Sequence, residues 1–360
     1  METENFDRAK TREMLIEHYN KYPLLKTEDI FKYVFQSAFG CEHLASDLGA
    51  ALAYMEKEYA EVPKDVPSLV EKLDGEYSRV HLSCITDGIS AETLAKLFCA
   101  SAQKEESGEE RLKELLSVVT ELVESGELPL DPSEFKRKAA EWEDAGYGAV
   151  RHSECFREAY RPAYRVVANR YAGVLRAFSE IDRALRRGNT TVAIEGGSAS
   201  GKSTLAEMLE TVYDCNVIHM DDFFLRPEQR TPERFAEVGG NVDRERFASE
   251  VLSSLDRKET VVYRPFDCST QSLSEPVTVE LKRLTVVEGA SSMHPAFGRY
   301  YDLALFLDIE PDHQRERILK RNSPAFAERF FNEWIPLENA YFIGTDIRNR
   351  TDAVIQISYR

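Results

Sequence analysis

The chain has 360 residues, 42% of them hydrophobic and 30% charged, which suits two globular domains and, with no apolar run of about 18 residues, excludes a helical membrane span. Its net charge of -17 argues against nucleic acid or an anionic membrane as a partner. The six cysteines (41, 84, 99, 155, 215 and 268) are too scattered for a disulfide framework, and Met1–Asn5 lacks the basic start and apolar core of a secretory signal, so reduced thiols and a cytoplasmic location are expected.

Residues 1–187 carry helical periodicity. Phe31, Val34, Phe35 and Ala38 share one face, as do Leu112, Leu115, Leu116, Val119, Leu122 and Val123. Loops are marked by Pro63, Pro67, Ser107-Gly108 and Pro129 to Pro132. A third run, Val167, Tyr171, Val174, Leu175, Phe178 and Leu185, ends at Arg186-Arg187-Gly188-Asn189, which reads as a helix stop. The spacing predicts an all-helical domain over 1–187, closed by a connecting helix, and a second domain over 188–360.

After Gly188 short apolar, β-rich runs alternate with helical stretches. The runs are Thr191–Ile194, Val217-Ile218, Val261–Tyr263, Leu284–Val287, Leu303–Leu307 and Val354–Ile357. That alternation predicts βαβ units and a mostly parallel, doubly wound α/β sheet.

Residues Gly196, Gly197, Ser198, Ala199, Ser200, Gly201, Lys202, Ser203 and Thr204 complete the pattern G-x-x-x-x-G-K-[ST]. A strand precedes them and the helical run Leu205, Met208, Leu209, Val212 follows, which is the setting a phosphate loop needs. The glycines let backbone N–H groups face phosphate oxygens, and the helix adds its positive end. Lys202 is read as the partner of the β/γ-phosphates of ATP and Ser203 as a Mg²⁺ ligand.

Asp221 and Asp222 follow the second strand, at the end where open α/β sheets bind ligands. A carboxylate there takes a proton from an attacking hydroxyl or helps hold Mg²⁺; the competing reading is a helix N-cap or a solvated acidic turn. Glu288 ends the strand 284–287 and reads as a second metal contact, with a strand-end surface acid as its rival. Beyond Pro311 a helix carries Arg315, Arg317, Lys320 and Arg321, a cation cluster suited to a transferring phosphoryl group or to solvent alone.

The ordered series of loop, Met220–Phe224, Asn241-Val242-Asp243, Tyr263–Asp267, Val287–Gly289 and arginine helix resembles the uridine kinase branch of the P-loop nucleoside kinases, with phosphoribulokinase and pantothenate kinase nearby. The resemblance covers about residues 188–345 and implies an α/β P-loop kinase. It implies Asp221 as base and metal contact, Glu288 completing the metal site with Ser203, Asp243 on the ribose hydroxyls, Phe266-Asp267 or Tyr263 lining the nucleoside pocket, and Arg317 and Arg321 in the lid. Two features depart from the family. The segment Tyr263–Thr270 lacks the family's base-binding histidine, and the lid at Asn322-Ser323-Pro324 is short. The expected activity is ATP- and Mg²⁺-dependent phosphoryl transfer to a small acceptor such as uridine or cytidine. The rivals are pantothenate, a sugar, or an ATP-dependent binding switch; a homo-oligomer is compatible with all of them.

The first half, through Phe39–His43, Arg79–Leu82 and Arg151–Glu154, resembles an uncharacterised bacterial helical family, which implies no activity. His43, His81 and His152, with Cys41, Glu42, Cys84, Glu154 and Cys155, are read as structural rather than as a metal site. Arg151, Arg157, Arg161 and Arg165, near Tyr160 and Tyr164, are read as partners of the chain's many acids rather than as an anion site.

Overall fold

The structure, a computed structural model, describes residues 6–41, 47–62, 68–102 and 108–357. The chain divides into two compact units, Met1–Ala172 and Gly173–Arg360.

The first unit is mostly helical. Helix Gly108–Glu124 buries Leu112, Leu115, Val119, Leu122 and Val123, the stripe its period requires, and packs on helix Thr27–Phe39. Side-chain caps set several helix starts, with Asp7, Ser90, Asp131 and Ser153 each accepting from a backbone N–H of the first turn. The unit is not wholly helical, which corrects the expectation from periodicity. It contains an antiparallel sheet of β1 (Val70–Lys72), β2 (Tyr77–His81) and β3 (Tyr164–Ala168), in the order β1-β2-β3. Tyr77–Val80 is buried on both faces, so no alternation marks it, and β3 joins its partner across a long stretch of chain. Val167, taken for the start of a helical run, lies in this strand.

In the second unit the strands are β4 (Thr190–Gly196), β5 (Cys215–His219), β6 (Val261–Tyr263), β7 (Phe266–Asp267), β8 (Ser272–Leu273), β9 (Val277–Val279), β10 (Leu284–Glu288), β11 (Leu303–Ile309) and β12 (Ala353–Ile357). Five of them form a parallel sheet in the order β12-β11-β4-β10-β5. Strand β4 is central, and the connections leave it toward opposite edges, which opens a crevice at its carboxyl end. With the loop that follows β4, this is an α/β P-loop fold of the kinase type. Residues 261–263 do form a strand, but β6 pairs with β9 in a separate antiparallel ribbon, and β7 pairs with β8.

Helix Leu175–Leu185 belongs to this unit, so the chain divides near residue 172 rather than 187. Its apolar face, Ala177, Phe178, Ile181 and Ala184, packs on β4, β11 and β12. One face of the sheet buries Ile218, Phe223, Phe247, Val251 and Val287, and a separate core gathers Ala193, Met293, Ala304, Phe306 and Tyr341. No helix among the described residues is long and apolar enough to cross a membrane. All six cysteines are free, with Cys41, Cys84 and Cys215 buried and Cys268 exposed.

Candidate phosphoryl-transfer site

Strand β4 delivers the chain to Gly196, whose φ is 152°. A Cβ there would lie 2.6 Å from the Leu307 carbonyl oxygen, so only glycine fits between β4 and β11. Ala199 follows at φ 59° and Gly201 at φ 97°, and helix Lys202–Val212 begins. Lys202 Nζ donates to the Gly196 and Gly197 carbonyls, both at 2.9 Å. Gln314 Nε2 donates to the Ser198 carbonyl at 2.7 Å and Arg317 Nη1 to that of Ala199 at 3.1 Å.

Sequence reasoning missed one carboxylate at this loop. Glu338, from helix Ile335–Gly344, accepts from Ser198 N at 2.8 Å and from Ser198 Oγ at 2.7 Å. In the segment just before it, Trp334 packs on Phe330. A carboxylate on a loop donor competes with a phosphate oxygen for it and repels the phosphate charge. Glu338→Gln keeps an acceptor and removes the charge, so ATP affinity should rise about fivefold, worth ~1 kcal/mol. Calorimetric titration checks this; weaker binding by the variant would mean that Glu338 supports the loop's shape instead.

The carboxyl ends of β5 and β10 complete the centre. Residues Glu288 and His219 are register partners, as are Glu288 and Ile194. Glu288 is buried and its Oε1 takes Ser203 Oγ at 3.1 Å and His219 Nδ1 at 2.6 Å. The bond to Glu288 raises the pKa of His219. Gly289, at φ 134°, carries the chain past Met220, whose Cβ would lie 2.7 Å from an added Cβ. Asp221 reaches solvent at the rim, but the protein around its carboxyl strips part of its hydration and raises its pKa; Glu288 and Asp222 add to the rise, and Lys202 and His219 oppose it. Ser203, Asp221 and Glu288 supply hard oxygen donors of the kind Mg²⁺ takes, so the residues fit that ion. Asp222 is committed elsewhere, accepting from Tyr263 OH at 2.9 Å.

The expected acceptor-side residues are more dispersed. Asp243 caps helix Arg244–Phe247 through Oδ1, which accepts from Arg246 N at 3.1 Å. Its buried Oδ2 has no hydrogen-bond partner among the described residues, though Arg246 Nε stands at 3.6 Å and Arg226 Nε at 3.9 Å. Phe266 is buried beneath the Arg230 guanidinium. Asp267 spends Oδ1 on Ser269 N and Oγ, both at 2.7 Å, in the turn between β7 and β8. Tyr263 is tied to Asp222. On the other flank a cavity of about 310 Å³ is lined by Ala199, Thr204, Arg317, Arg321, Val174 and Ile357, among others. Arg317 and Arg321 therefore border the loop, while Arg315 stacks on Phe331.

Glu195, also missed, sits one residue before the loop and is fully buried. Its Oε1 accepts from Gly196 N at 3.2 Å and Ser291 N at 3.1 Å; its Oε2 accepts from Met293 N at 3.2 Å and Tyr341 OH at 3.1 Å. Burial outweighs these donors and lifts its pKa from 4.5 to about 7. The folded state thus holds this proton more tightly than the unfolded chain. The contribution of Glu195 to stability is present below pH 4.5 and falls as pH rises to about 7. Relative to Glu195→Gln, the wild type should lose about 3 kcal/mol between pH 5 and pH 8 in denaturant unfolding, and a pH-independent difference would refute the assignment. A charged residue inside an apolar strand was the available signal.

In the first unit, His43 and Glu42 lie outside the described residues. His81 caps a turn, with Nδ1 near Ser83 N and Oγ, and His152 pairs with Asp29. Arg165 pairs with Glu58. No group of three or more His, Cys, Asp or Glu residues placed to hold a metal occurs among the described residues.

No family model and no curated protein matches the chain. Among solved structures, similarity is found to the "Structure of a Possible Uridine Kinase from Bacillus stearothermophilus", at 19% identity and a TM-score of 0.37, covering 49% of this chain and 99% of that one. It is also found to TT1252 from Thermus thermophilus, at 18% identity and a TM-score of 0.27, covering 47% and 89%. The fold rests on the strand order and the phosphate loop.

Proposed function

We propose that residues 188–360 form an ATP-dependent phosphotransferase that moves the γ-phosphoryl group to a hydroxyl of a small acceptor, a nucleoside such as uridine or cytidine. The observation that carries the reading is the convergence of Lys202, Ser203, Asp221 and Glu288 at the carboxyl ends of three adjacent strands. Ser203, Asp221 and Glu288 would hold Mg²⁺, which would supply positive charge to the phosphates during transfer. Lys202 leaves its loop carbonyls to bind the same phosphates. Asp221, with its raised pKa, takes the proton of the acceptor hydroxyl as the oxygen attacks in line. Arg317 and Arg321 stabilise the equatorial oxygens. Asp243 orients the acceptor through Oδ2, which has no hydrogen-bond partner among the described residues, and Tyr263 and Phe266-Asp267 are the further acceptor-side residues.

The test is ATP consumption with Mg²⁺ against a panel of nucleosides, pantothenate and sugars. Stimulation by uridine or cytidine supports the reading. Stimulation by pantothenate or a sugar keeps the transferase and replaces the acceptor. ATP binding with no stimulation by any acceptor overturns the transferase reading.

A further inference from the structure

We propose that the first unit holds a second ligand site, in which Arg79 and His18 bind the oxygens of a small oxyanion, a carboxylate or a phosphate group. The topology puts an unusual set of side chains together. Arg79 of β2 is the register partner of Glu71 of β1, and its guanidinium lies over the ring of Tyr164 of β3. Helix Arg8–Lys21 supplies His18 and Lys21. Helix Thr27–Phe39 supplies Asp29, Lys32, Tyr33 and Gln36, at the spacing of one helix face. His18, Asp29, Gln36 and Arg79 are buried, at positions that ordinarily carry apolar residues, because buried charge costs stability unless it is paired.

Nearly every polar atom here is spent on holding its neighbours. Glu71 accepts from His18 Nδ1 at 3.1 Å, Arg79 Nη1 at 3.2 Å, Lys21 Nζ at 2.7 Å and Tyr22 OH at 2.6 Å. Gln36 Oε1 accepts from Arg79 Nε at 2.9 Å and Tyr164 OH at 3.3 Å. Asp29 holds His152 Nδ1 at 2.8 Å, and His152 Nε2 meets Tyr164 OH at 2.7 Å. The Arg79 guanidinium lies against the Tyr33 and Tyr164 rings, at 5.6 Å and 4.8 Å. Two atoms remain without a hydrogen-bond partner among the described residues, Arg79 Nη2 and His18 Nε2. Both residues are over nine-tenths buried, at 3% and 5% exposure. Both side chains are anchored on the same oxygen, Glu71 Oε1.

The open atoms define the ligand. Nη2 only donates. Because Glu71 takes the Nδ1–H of His18, Nε2 of the neutral ring accepts, so it bonds a protonated oxygen or takes up a proton itself. A phosphate or carboxyl group meets both demands. Arg79 and Lys21 both act electrostatically on His18, so positive charge stands beside the open ring nitrogen. The rival occupant is one trapped water, which also donates and accepts.

The test uses the full chain carrying Lys202→Ala, so that the phosphate loop does not compete. Inorganic phosphate and acetate are titrated separately by calorimetry and by ¹⁵N NMR of the histidine rings. The expected result is saturable binding of one anion, with the His18 Nε2 signal moving toward its protonated position while His81 stays put; the stronger anion identifies the group. Gln36→Glu keeps the oxygen that Arg79 and Tyr164 need and adds negative charge beside the site, so binding should weaken at least tenfold without loss of fold. No binding and no His18 response to either anion would assign the open atoms to water and overturn the proposal. Unchanged affinity in Gln36→Glu would overturn it as well.

Discussion

On the proposed mechanism, Asp221→Asn is expected to lower turnover about a thousandfold and to leave ATP affinity within a few-fold of wild type. General-base catalysis by a positioned side chain contributes about 10²–10⁴-fold. The asparagine amide fills the same space but takes no proton from the acceptor hydroxyl. Losing the contact that Asp221 would make to Mg²⁺ should cost little binding, because Ser203 and Glu288 remain. Single-turnover kinetics and a separate ATP titration distinguish the two effects. Equal losses in rate and in affinity would make Asp221 a binding residue rather than the base. The raised pKa of Asp221 adds a second signature. Activity should fall as pH drops through that raised value, and this acid limb should be missing from the residual activity of the variant.

Lys202→Ala is expected to weaken ATP binding roughly 100-fold and to remove measurable turnover. A charge-assisted bond from lysine to phosphate is worth about 1.5–3 kcal/mol, which spans factors of roughly ten to more than a hundred. The alanine also loses the two bonds to Gly196 and Gly197, so the loop gives up part of its preset shape. Those bonds are partly exposed and their loss moves unfolding only slightly. Calorimetric titration with ATP·Mg²⁺ beside a denaturation curve tests both halves. A protein that binds ATP normally after Lys202→Ala holds its nucleotide somewhere other than this loop. Together the two variants separate phosphate binding from proton transfer.

The parts of the site that were legible in the sequence are those whose chemistry depends on neighbours along the chain. The phosphate loop is contiguous, and its strand and helix flank it directly. Asp221 and Glu288 were legible because each ends an apolar run, and in a parallel sheet such ends converge. The acceptor side was less legible: Asp243 reads as a binding residue by motif but caps a helix through one of its oxygens. Asp267, similarly, is engaged in its own turn.

Sequence alone determined the two-part chain, the P-loop fold of the second part, the loop itself, and the acids at the strand ends, because hydrophobic period and short-range spacing encode them. Tertiary structure alone decided that Glu338 reaches the loop across 140 residues, that Glu195 is buried among backbone donors, that β6 leaves the main sheet, and that β1 to β3 interrupt a helical unit. It also decided that Arg79, Glu71 and His18 meet in one buried centre. Most of these depend on contacts between residues distant in the chain, and such contacts leave no period or spacing to read.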